Sequence, residues 1–189
     1  MKPLKILIVS EYYPPHVGGV ETFFYELRKE LLAMGHHVDV ITTSQPDAMA
    51  RERDEGGEVI RVKVPRSGDR YFFSVLAIPE VLKKARKADI IHCTTYNSIP
   101  PAWLASKIGR KPAILSVHEV LGPRWHSVIP KARLKANIFR FIEWSLLQFP
   151  FTHSVAVSKF TQDDLPARMK RRSSVIHHGI DPVFRPMLK

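Results

Sequence analysis

Five short segments of this sequence carry glycines or polar side chains suited to chemistry, and each follows an apolar run with little intervening chain. They are Gly18–Gly19, Thr94–Tyr96, His118–Glu119, Ser158–Lys159 and His177–Gly179. If the apolar runs are parallel strands of one open α/β sheet, their carboxyl ends share an edge, and ligands bind beyond that edge. We therefore expect the five segments to converge on one site.

The glycine pair lies in the stretch YPPHVGGVE, between an apolar run and a helical pattern. Glycine allows close backbone approach, and the N–H groups at a helix N-terminus favour negative charge, so Gly18 and Gly19 could hold a phosphate. The alternative is a turn without a ligand, and the local sequence favours neither. Neither GxGxxG nor GxxxxGK followed by Ser or Thr occurs, which disfavours a nicotinamide dehydrogenase and a Walker-type phosphate site.

The histidines allow several interpretations. His118 could hydrogen-bond a sugar hydroxyl or a reacting group, because imidazole titrates near neutral pH; the alternative is a histidine that merely closes a strand. His92 lies in an apolar run, which favours a core histidine. The adjacent His177 and His178 would point to opposite faces of a strand, so one metal would rarely take both. Without HExxH, and with Cys93 as the single cysteine, the sequence predicts no metal site.

Strand and helix patterns alternate along the chain and would position these segments. Buried-strand patterns cover 5–10, 37–43, 88–95, 112–120 and 153–158, with an alternating outer strand at 59–64 and a last strand at 173–181. Helical patterns cover 20–34, 74–87, 98–109 and 131–149, with a short helix opening at residue 159 and a polar loop at 45–58. This alternation predicts an α/β fold with a doubly wound, mostly parallel sheet and helices on both faces.

The charge balance indicates an anionic partner. The chain has 189 residues, enough for one domain or two small ones, and a formal net charge of +11. Such a surface attracts phosphates, nucleic acid or an anionic membrane face. No nucleic-acid motif accompanies the basic run at 168–172, so nucleic acid is the weaker expectation.

The helical pattern from Lys131 to Phe149 combines apolar, aromatic and basic residues. Such an amphipathic helix could lie on an anionic membrane surface. The alternative is a helix that packs its apolar arc into the core and lets its lysines reach solvent. No apolar stretch approaches the ~20 residues that a membrane span requires. We expect a cytoplasmic protein, peripheral on the membrane face if this helix binds lipid, because a single cysteine gives no sign of an oxidising compartment.

Taken together, five segments resemble the N-terminal domain of a retaining, GT-B-type family 4 glycosyltransferase. They are EYYPPHVGGVETFFYELRKELLAMGHHVDVIT, ADIIHCTT, ILSVHEV, SVAVSKFTQDDL and VIHHGIDPVFRP, in the family's order and spread over essentially the whole chain. The resemblance implies a Rossmann-like acceptor-side domain at 1–182, one half of a GT-B fold. It also implies that 183–189 begin the crossover to a donor domain absent from this chain. One departure is His178, where the family commonly has asparagine.

The resemblance also implies roles for individual residues. His118 matches a histidine placed near the transferred sugar, and it is the expected catalytic residue. The expected substrate-binding residues are Gly18, Gly19, Glu21, Tyr96, Glu119, Ser158 and Lys159.

The function implied is transfer of a sugar, with retention, from a nucleotide-sugar to a lipid, glycan or small-molecule acceptor. The resemblance implies no metal and no other cofactor. Because the residues that hold the donor diphosphate belong to the second domain, we expect this chain alone to be inactive. The alternative function is a non-catalytic basic module that binds anionic lipid or nucleic acid.

Overall fold

The computed structural model describes residues 2–65 and 68–179. Its strands are β1 (Lys5–Val9), β2 (His37–Thr43), β3 (Arg51–Asp54), β4 (Gly57–Val62), β5 (Ile90–Thr94), β6 (Ala113–Val117), β7 (His153–Ala156) and β8 (Ser173–Val175). Within the described ranges, these eight strands form one sheet in the order β3-β4-β2-β1-β5-β6-β7-β8.

The helices lie between the strands. They are α1 (Gly19–Ala33), α2 (Asp69–Leu76), α3 (Ile78–Ala85), α4 (Ile99–Gly109), α5 (Trp125–Val128), α6 (Arg133–Leu146), α7 (Lys159–Asp163) and α8 (Ala167–Lys170), with a short 3-10 helix at Gly122–Arg124.

The order of the strands confirms the predicted doubly wound sheet. All neighbouring strands run parallel except β3 and β4. The chain starts in the middle of the sheet at β1, continues outward through β2 and β4, and resumes at β5 on the other side of β1. The carboxyl ends of β1 and β5 therefore flank the switch point, where sheets of this kind bind ligands.

Strand β1 is buried on both faces because helices cover both sides of the sheet. Ile8 packs in a cluster with Phe24 of α1. Leu7 and Val9 face the other side and share a cluster with Phe73 of α2. These contacts follow the two-residue period of a strand and explain the continuous apolar run in the sequence.

Helix α1 is followed by a glycine, Gly35, which lies two residues after its last residue, Ala33. Gly35 has a φ of +84°, a left-handed conformation that glycine adopts without strain. Its N–H donates to the Leu32 carbonyl at 2.9 Å, and the His36 N–H donates to the Leu31 carbonyl at 3.0 Å. This pair of bonds satisfies carbonyls that the last turn leaves free and directs the chain into β2.

Two predictions about one edge of the sheet are wrong. The predicted loop at 45–58 contains strand β3, and β4 is not an outer strand, because β3 pairs with it on the outside. Arg51 and Arg53 of β3 form ion pairs with Glu58 of β4 at 3.3 and 3.2 Å. Charged residues are common on edge strands, and they remove the apolar alternation that identifies a strand in a sequence.

The helix predicted at 74–87 is two helices, α2 and α3. Pro79 lies in the first turn of α3, where its missing N–H breaks no helical bond. The last predicted strand is shorter than expected, because β8 ends at Val175. The end of that prediction, and the domain boundary predicted at 182, lie outside the described residues.

Candidate active site

A cavity of about 180 Å³ opens at the carboxyl ends of β1, β5 and β6. Its wall consists of residues that directly follow these three strands, together with the first turn of α1. Four of the expected site residues line it, namely Glu21, Tyr96, His118 and Glu119. The topology thus brings together side chains that lie up to 98 positions apart in the sequence, as expected for a doubly wound sheet.

His118 sits at the carboxyl end of β6 among aromatic rings. Its ring centroid lies 5.4 Å from that of Phe23 and 5.1 Å from that of His178. Burial, and after it the neighbouring His178 and His92, lower the pKa of His118 to about 4. Its Nε2 is buried without a hydrogen-bond partner among the described residues. At neutral pH this ring is therefore uncharged.

The glycine pair begins α1, with Gly18 as the N-cap residue. A Cβ on Gly18 would overlap the Glu21 carboxylate, whereas a Cβ on Gly19 would meet no atom within 4 Å. The Glu21 carboxylate lies 3.1 Å from Nδ1 of His16. A carboxylate is favourable at the N-terminus of its own helix, and here it lies against the first glycine. A bound phosphate at Gly18 would have to displace it.

The loop before this pair is fixed from β4. The buried guanidinium of Arg61 donates to the Pro14 carbonyl at 2.8 Å and to the Met49 carbonyl at 2.9 Å. It also pairs with Glu52 of β3 at 2.6 Å. One arginine therefore ties the glycine loop to the two strands at the edge of the sheet.

Tyr96 contributes its ring to the cavity, but its hydroxyl is engaged elsewhere. The hydroxyl lies 2.6 Å from Oε1 of Glu143 and 2.8 Å from the Glu119 carbonyl oxygen. Burial, and then the hydrogen bond to Glu143, raise the pKa of Tyr96. The phenol therefore stays protonated and holds the loop after β5 against α6.

Ser158 and Lys159 do not line this cavity. The Ser158 Oγ accepts a hydrogen bond from the Thr161 N–H at 3.0 Å and so caps α7. The exposed ammonium of Lys159 lies 3.0 Å from the Asp163 carboxylate on the same helix. The structure thus gives both side chains local partners, and their expected contacts with substrate stay predictions.

Glu11 and Asn97 are cavity residues that the sequence patterns did not single out. Glu11 lies two residues after the end of β1 and is buried, and its Oε2 accepts a hydrogen bond from Nδ2 of Asn97 at 2.6 Å. The Asn97 carbonyl in turn accepts from the Ser74 hydroxyl of α2 at 3.1 Å. Both residues follow apolar strands, which is the signal that identified Tyr96.

The other histidines have distinct surroundings. His92 is a core histidine, with Nε2 at 2.8 Å from the Ser116 hydroxyl, and burial lowers its pKa to about 4. His178 stacks on Phe23 with ring centroids 4.5 Å apart, and burial lowers its pKa as well. Across residues 2–65 and 68–179, no group of three or more His, Cys, Asp or Glu side chains is placed to hold a metal ion.

Helix α6 leaves much of its apolar surface exposed. Phe141 and Trp144 are 65% and 56% exposed, while Ala136 and Glu143 face the protein. The alternative in which the helix packs its apolar arc into the core therefore fails over most of its length, and Phe149, which follows the helix, packs inward against Trp103. We call the exposed apolar residues of this helix the α6 surface: Leu134, Ile138, Phe141, Ile142 and Trp144.

Helix α2 carries a second exposed apolar group that the sequence did not reveal. It consists of Tyr71, Phe72, Val75 and Leu76. In the part of the chain that the structure describes, no helix is long and apolar enough to cross a membrane.

Comparison with known proteins identifies the family. The sequence model of Glycosyltransferase Family 4 matches residues 17–184. Alpha-monoglucosyldiacylglycerol synthase of Acholeplasma laidlawii is 33% identical over 121 residues, which cover 61% of this chain and 30% of that protein. A phosphatidylinositol N-acetylglucosaminyltransferase subunit of Arabidopsis thaliana is 25% identical over 189 residues, which cover 95% of this chain and 38% of that protein.

Solved structures agree on the fold. Sucrose-phosphate synthase of Thermosynechococcus elongatus has a TM-score of 0.68 at 18% identity, over 94% of this chain and 48% of that one. Anabaena Alr3699/HepE in complex with UDP-glucose has a TM-score of 0.63 at 19% identity, over 94% of this chain and 44% of that one. The chain thus spans less than half the length of these relatives. It belongs to glycosyltransferase family 4 and has the Rossmann-like fold of one half of a GT-B enzyme.

Proposed function

We propose that this chain is the acceptor-side domain of a glycosyltransferase that moves a sugar, with retention, from a nucleotide-sugar to a lipid acceptor at an anionic membrane. The observation that carries the proposal is the cavity at the switch point, which contains the neutral His118 with its unpaired Nε2. A donor-binding second domain completes the enzyme. The length of the relatives beyond the matched part supports that domain, and the UDP-glucose in the Anabaena structure supports this class of donor.

The described residues contribute in two ways to such a transfer. The bond from the sugar carbon to the diphosphate breaks, a bond to the acceptor oxygen forms, and the acceptor proton leaves with the diphosphate. His118 hydrogen-bonds a hydroxyl of the transferred sugar, because a neutral imidazole can donate and accept at once. The negative charge that develops on the diphosphate needs positive partners. At this cavity the chain can offer only the backbone amides of Val20 and Glu21, with the Glu21 carboxylate displaced, so the donor domain supplies most of the charge.

The nature of the acceptor follows from the exposed surface and the relatives. The α6 surface lies beside the exposed basic residues Arg133, Lys135 and Arg140. Apolar side chains next to cations fit the boundary between acyl chains and anionic headgroups. Two relatives are named for glucosyldiacylglycerol and phosphatidylinositol, both of which are lipids. Glu143, on the buried side of α6, contacts Tyr96 of the cavity wall, so the α6 surface lies on the opposite face of a helix that packs beside the cavity.

Transfer is tested in a protein that includes the proposed donor domain. The preparation is incubated with radiolabelled UDP-glucose and phosphatidylglycerol vesicles that contain diacylglycerol or phosphatidylinositol, and lipid-soluble label is counted. We expect label in one of the lipids, and a loss of about 100-fold or more in His118→Ala. The 189-residue chain alone should transfer nothing and bind UDP-glucose weakly in calorimetry. Tight binding of UDP-glucose by this chain alone would contradict the proposal that a second domain holds the donor.

Membrane docking is tested by vesicle sedimentation of the 189-residue chain. Phosphatidylglycerol vesicles should bind it and phosphatidylcholine vesicles should not, with binding weakening as salt is raised. The double variant Phe141→Ser with Trp144→Ser should no longer bind the phosphatidylglycerol vesicles. Ile108→Ser is the matched control, because Ile108 is 65% exposed on α4, away from this surface. Equal binding by both variants would argue against docking through the α6 surface, and a gel shift with DNA but no binding to vesicles would favour the non-catalytic alternative in its nucleic-acid form.

A further inference from the structure

We propose that Glu143 is a positioning residue, whose single carboxylate holds together the two loops that form the wall of the cavity opposite the glycine pair. The side chain is 3% exposed. None of the ion pairs among the described residues includes it. A buried carboxylate without a cation needs several hydrogen bonds, and here these bonds all come from cavity loops or their continuation.

Four donors converge on this carboxylate. Oε1 accepts from the Tyr96 hydroxyl at 2.6 Å and from the Leu121 N–H at 2.8 Å. Oε2 accepts from the Gly122 N–H at 2.6 Å and from Nε1 of Trp125 at 3.2 Å. Each oxygen thus accepts two hydrogen bonds, which fills its two lone pairs.

The two loops joined in this way carry functional side chains. The loop after β5 contains Tyr96 and Asn97, and the segment after β6 begins with His118 and Glu119. The Tyr96 hydroxyl also lies 2.8 Å from the Glu119 carbonyl oxygen, so the loops touch each other as well. Without the carboxylate, the amides after residue 120 and the tyrosine hydroxyl would have no common acceptor.

Because Glu143 is part of α6, the hydrogen bonds that its carboxylate accepts have a second consequence, which rests on the proposed function. Its neighbours Ile142 and Trp144 belong to the α6 surface, whereas Glu143 faces inward. The helix that is proposed to lie on the membrane therefore also fixes the cavity wall. Glu143 sets the position of the acceptor site relative to the lipid surface.

Conservative substitutions separate this role from simple packing. Glu143→Gln keeps the volume, but its amide nitrogen is a donor and cannot accept the hydrogen bonds that one carboxylate oxygen accepts. One pair of donors therefore loses its acceptor in either orientation of the amide. Glu143→Asp keeps the charge and the acceptors on a shorter side chain. It should therefore change amide exchange and acceptor binding less than Glu143→Gln does. Glu80→Gln is the control, because Glu80 is a carboxylate on α3 that pairs with Arg51, away from the cavity.

Amide hydrogen exchange followed by NMR on the 189-residue chain directly tests the hydrogen bonds from the loops to Glu143. We expect the Leu121 and Gly122 amides to exchange about 10- to 100-fold faster in Glu143→Gln, because each loses or weakens a bond to a charged acceptor. The amides of Leu7 and Ile8 in β1 should keep their protection, which shows that the fold is intact. Unchanged exchange at positions 121 and 122 would overturn the proposal.

Kinetics of a preparation that transfers glucose to diacylglycerol test the consequence for the acceptor site. Glu143→Gln should raise the KM for diacylglycerol about tenfold, with little change in the KM for UDP-glucose, and Glu143→Asp should recover part of it. A changed donor KM with an unchanged acceptor KM would overturn the assignment to the acceptor wall. If the wild-type protein transfers nothing, the proposed function fails, while the exchange measurement still decides whether Glu143 holds the loops.

Discussion

The imidazole rings of His118 and His178 lie 5.1 Å apart, and the Phe23 ring contacts both of them. Burial lowers the pKa of each ring. The histidine that stands where the family commonly has asparagine is therefore part of the surroundings of the expected catalytic residue. A proton on His118 would be unfavourable, because burial among these rings leaves it little solvation.

The buried histidines predict a loss of stability in mild acid. The folded-state pKa values of His92 and His118 are about 4, below the usual value of 6.5. The unfolded chain therefore binds more protons between these values, and the free energy of unfolding should fall as the pH drops from about 6.5 to about 4, by about 1.4 kcal/mol per unit of pKa shift. Urea unfolding across this range measures the slope. His92→Gln, which does not titrate, should flatten it, and an unchanged slope would contradict the burial argument.

The two glycines should respond differently to alanine. Gly19→Ala places a methyl group in open space at the start of α1, so the stability should stay the same or rise by up to about 1 kcal/mol. If a substrate approaches this backbone, transfer should nevertheless fall. Gly18→Ala pushes the Glu21 carboxylate away from His16 and should lower the stability slightly. Thermal unfolding and transfer are measured together, and wild-type transfer by Gly19→Ala would show that no ligand contacts this position.

Arg61 should matter more for stability than an exposed arginine nearby. Its side chain is 2% exposed and bonds the Pro14 carbonyl, the Met49 carbonyl and Glu52. Arg61→Met leaves those acceptors unpaired and should cost about 2–4 kcal/mol in urea unfolding. Arg53→Met is the comparison, because that side chain is 76% exposed and its ion pair should contribute about 1 kcal/mol or less. Equal losses of unfolding free energy in the two variants would argue against the proposal that Arg61 holds the glycine loop in place.

Ser158 allows a test of structural against substrate-binding roles. Because its hydroxyl caps α7, Ser158→Ala should cost about 1 kcal/mol, and Ser158→Asp should restore most of it. If the hydroxyl only caps the helix, Ser158→Asp should also transfer sugar like the wild type. Restored stability with lost transfer would instead support the contact with substrate that the family resemblance implies.

Topology was the most predictable property of the chain. Strand β1 reads as apolar at every inward position because both faces are covered, and α1 repeats its apolar residues at the helical period. Once the sheet is doubly wound, the residues after β1, β5 and β6 must meet at its edge. This explains why Tyr96, His118 and Glu119 could be grouped without any knowledge of contacts, and why Glu11 and Asn97 obey the same rule.

Partners of individual side chains were not predictable in the same way. A glutamate in an amphipathic helix is usually assigned to solvent, but Glu143 is buried because four donors from distant segments surround it. The apolar residues of α6 could be assigned from the sequence either to a membrane surface or to the core, and they are exposed because Ala136 and Glu143 occupy the inward side. Strand β3 was missed because its charges are balanced by Glu58 of β4, a contact that no local pattern contains.

The charged strand β3 also bears on how copies of the protein behave when they are crowded together. An open sheet ends in unpaired backbone groups, which can join the edge of another sheet and start polymerisation. Here one end presents Arg51 and Arg53, and the other end, β8, is three residues long. Neither end offers a long apolar edge, so neighbouring copies have little opportunity to aggregate strand to strand.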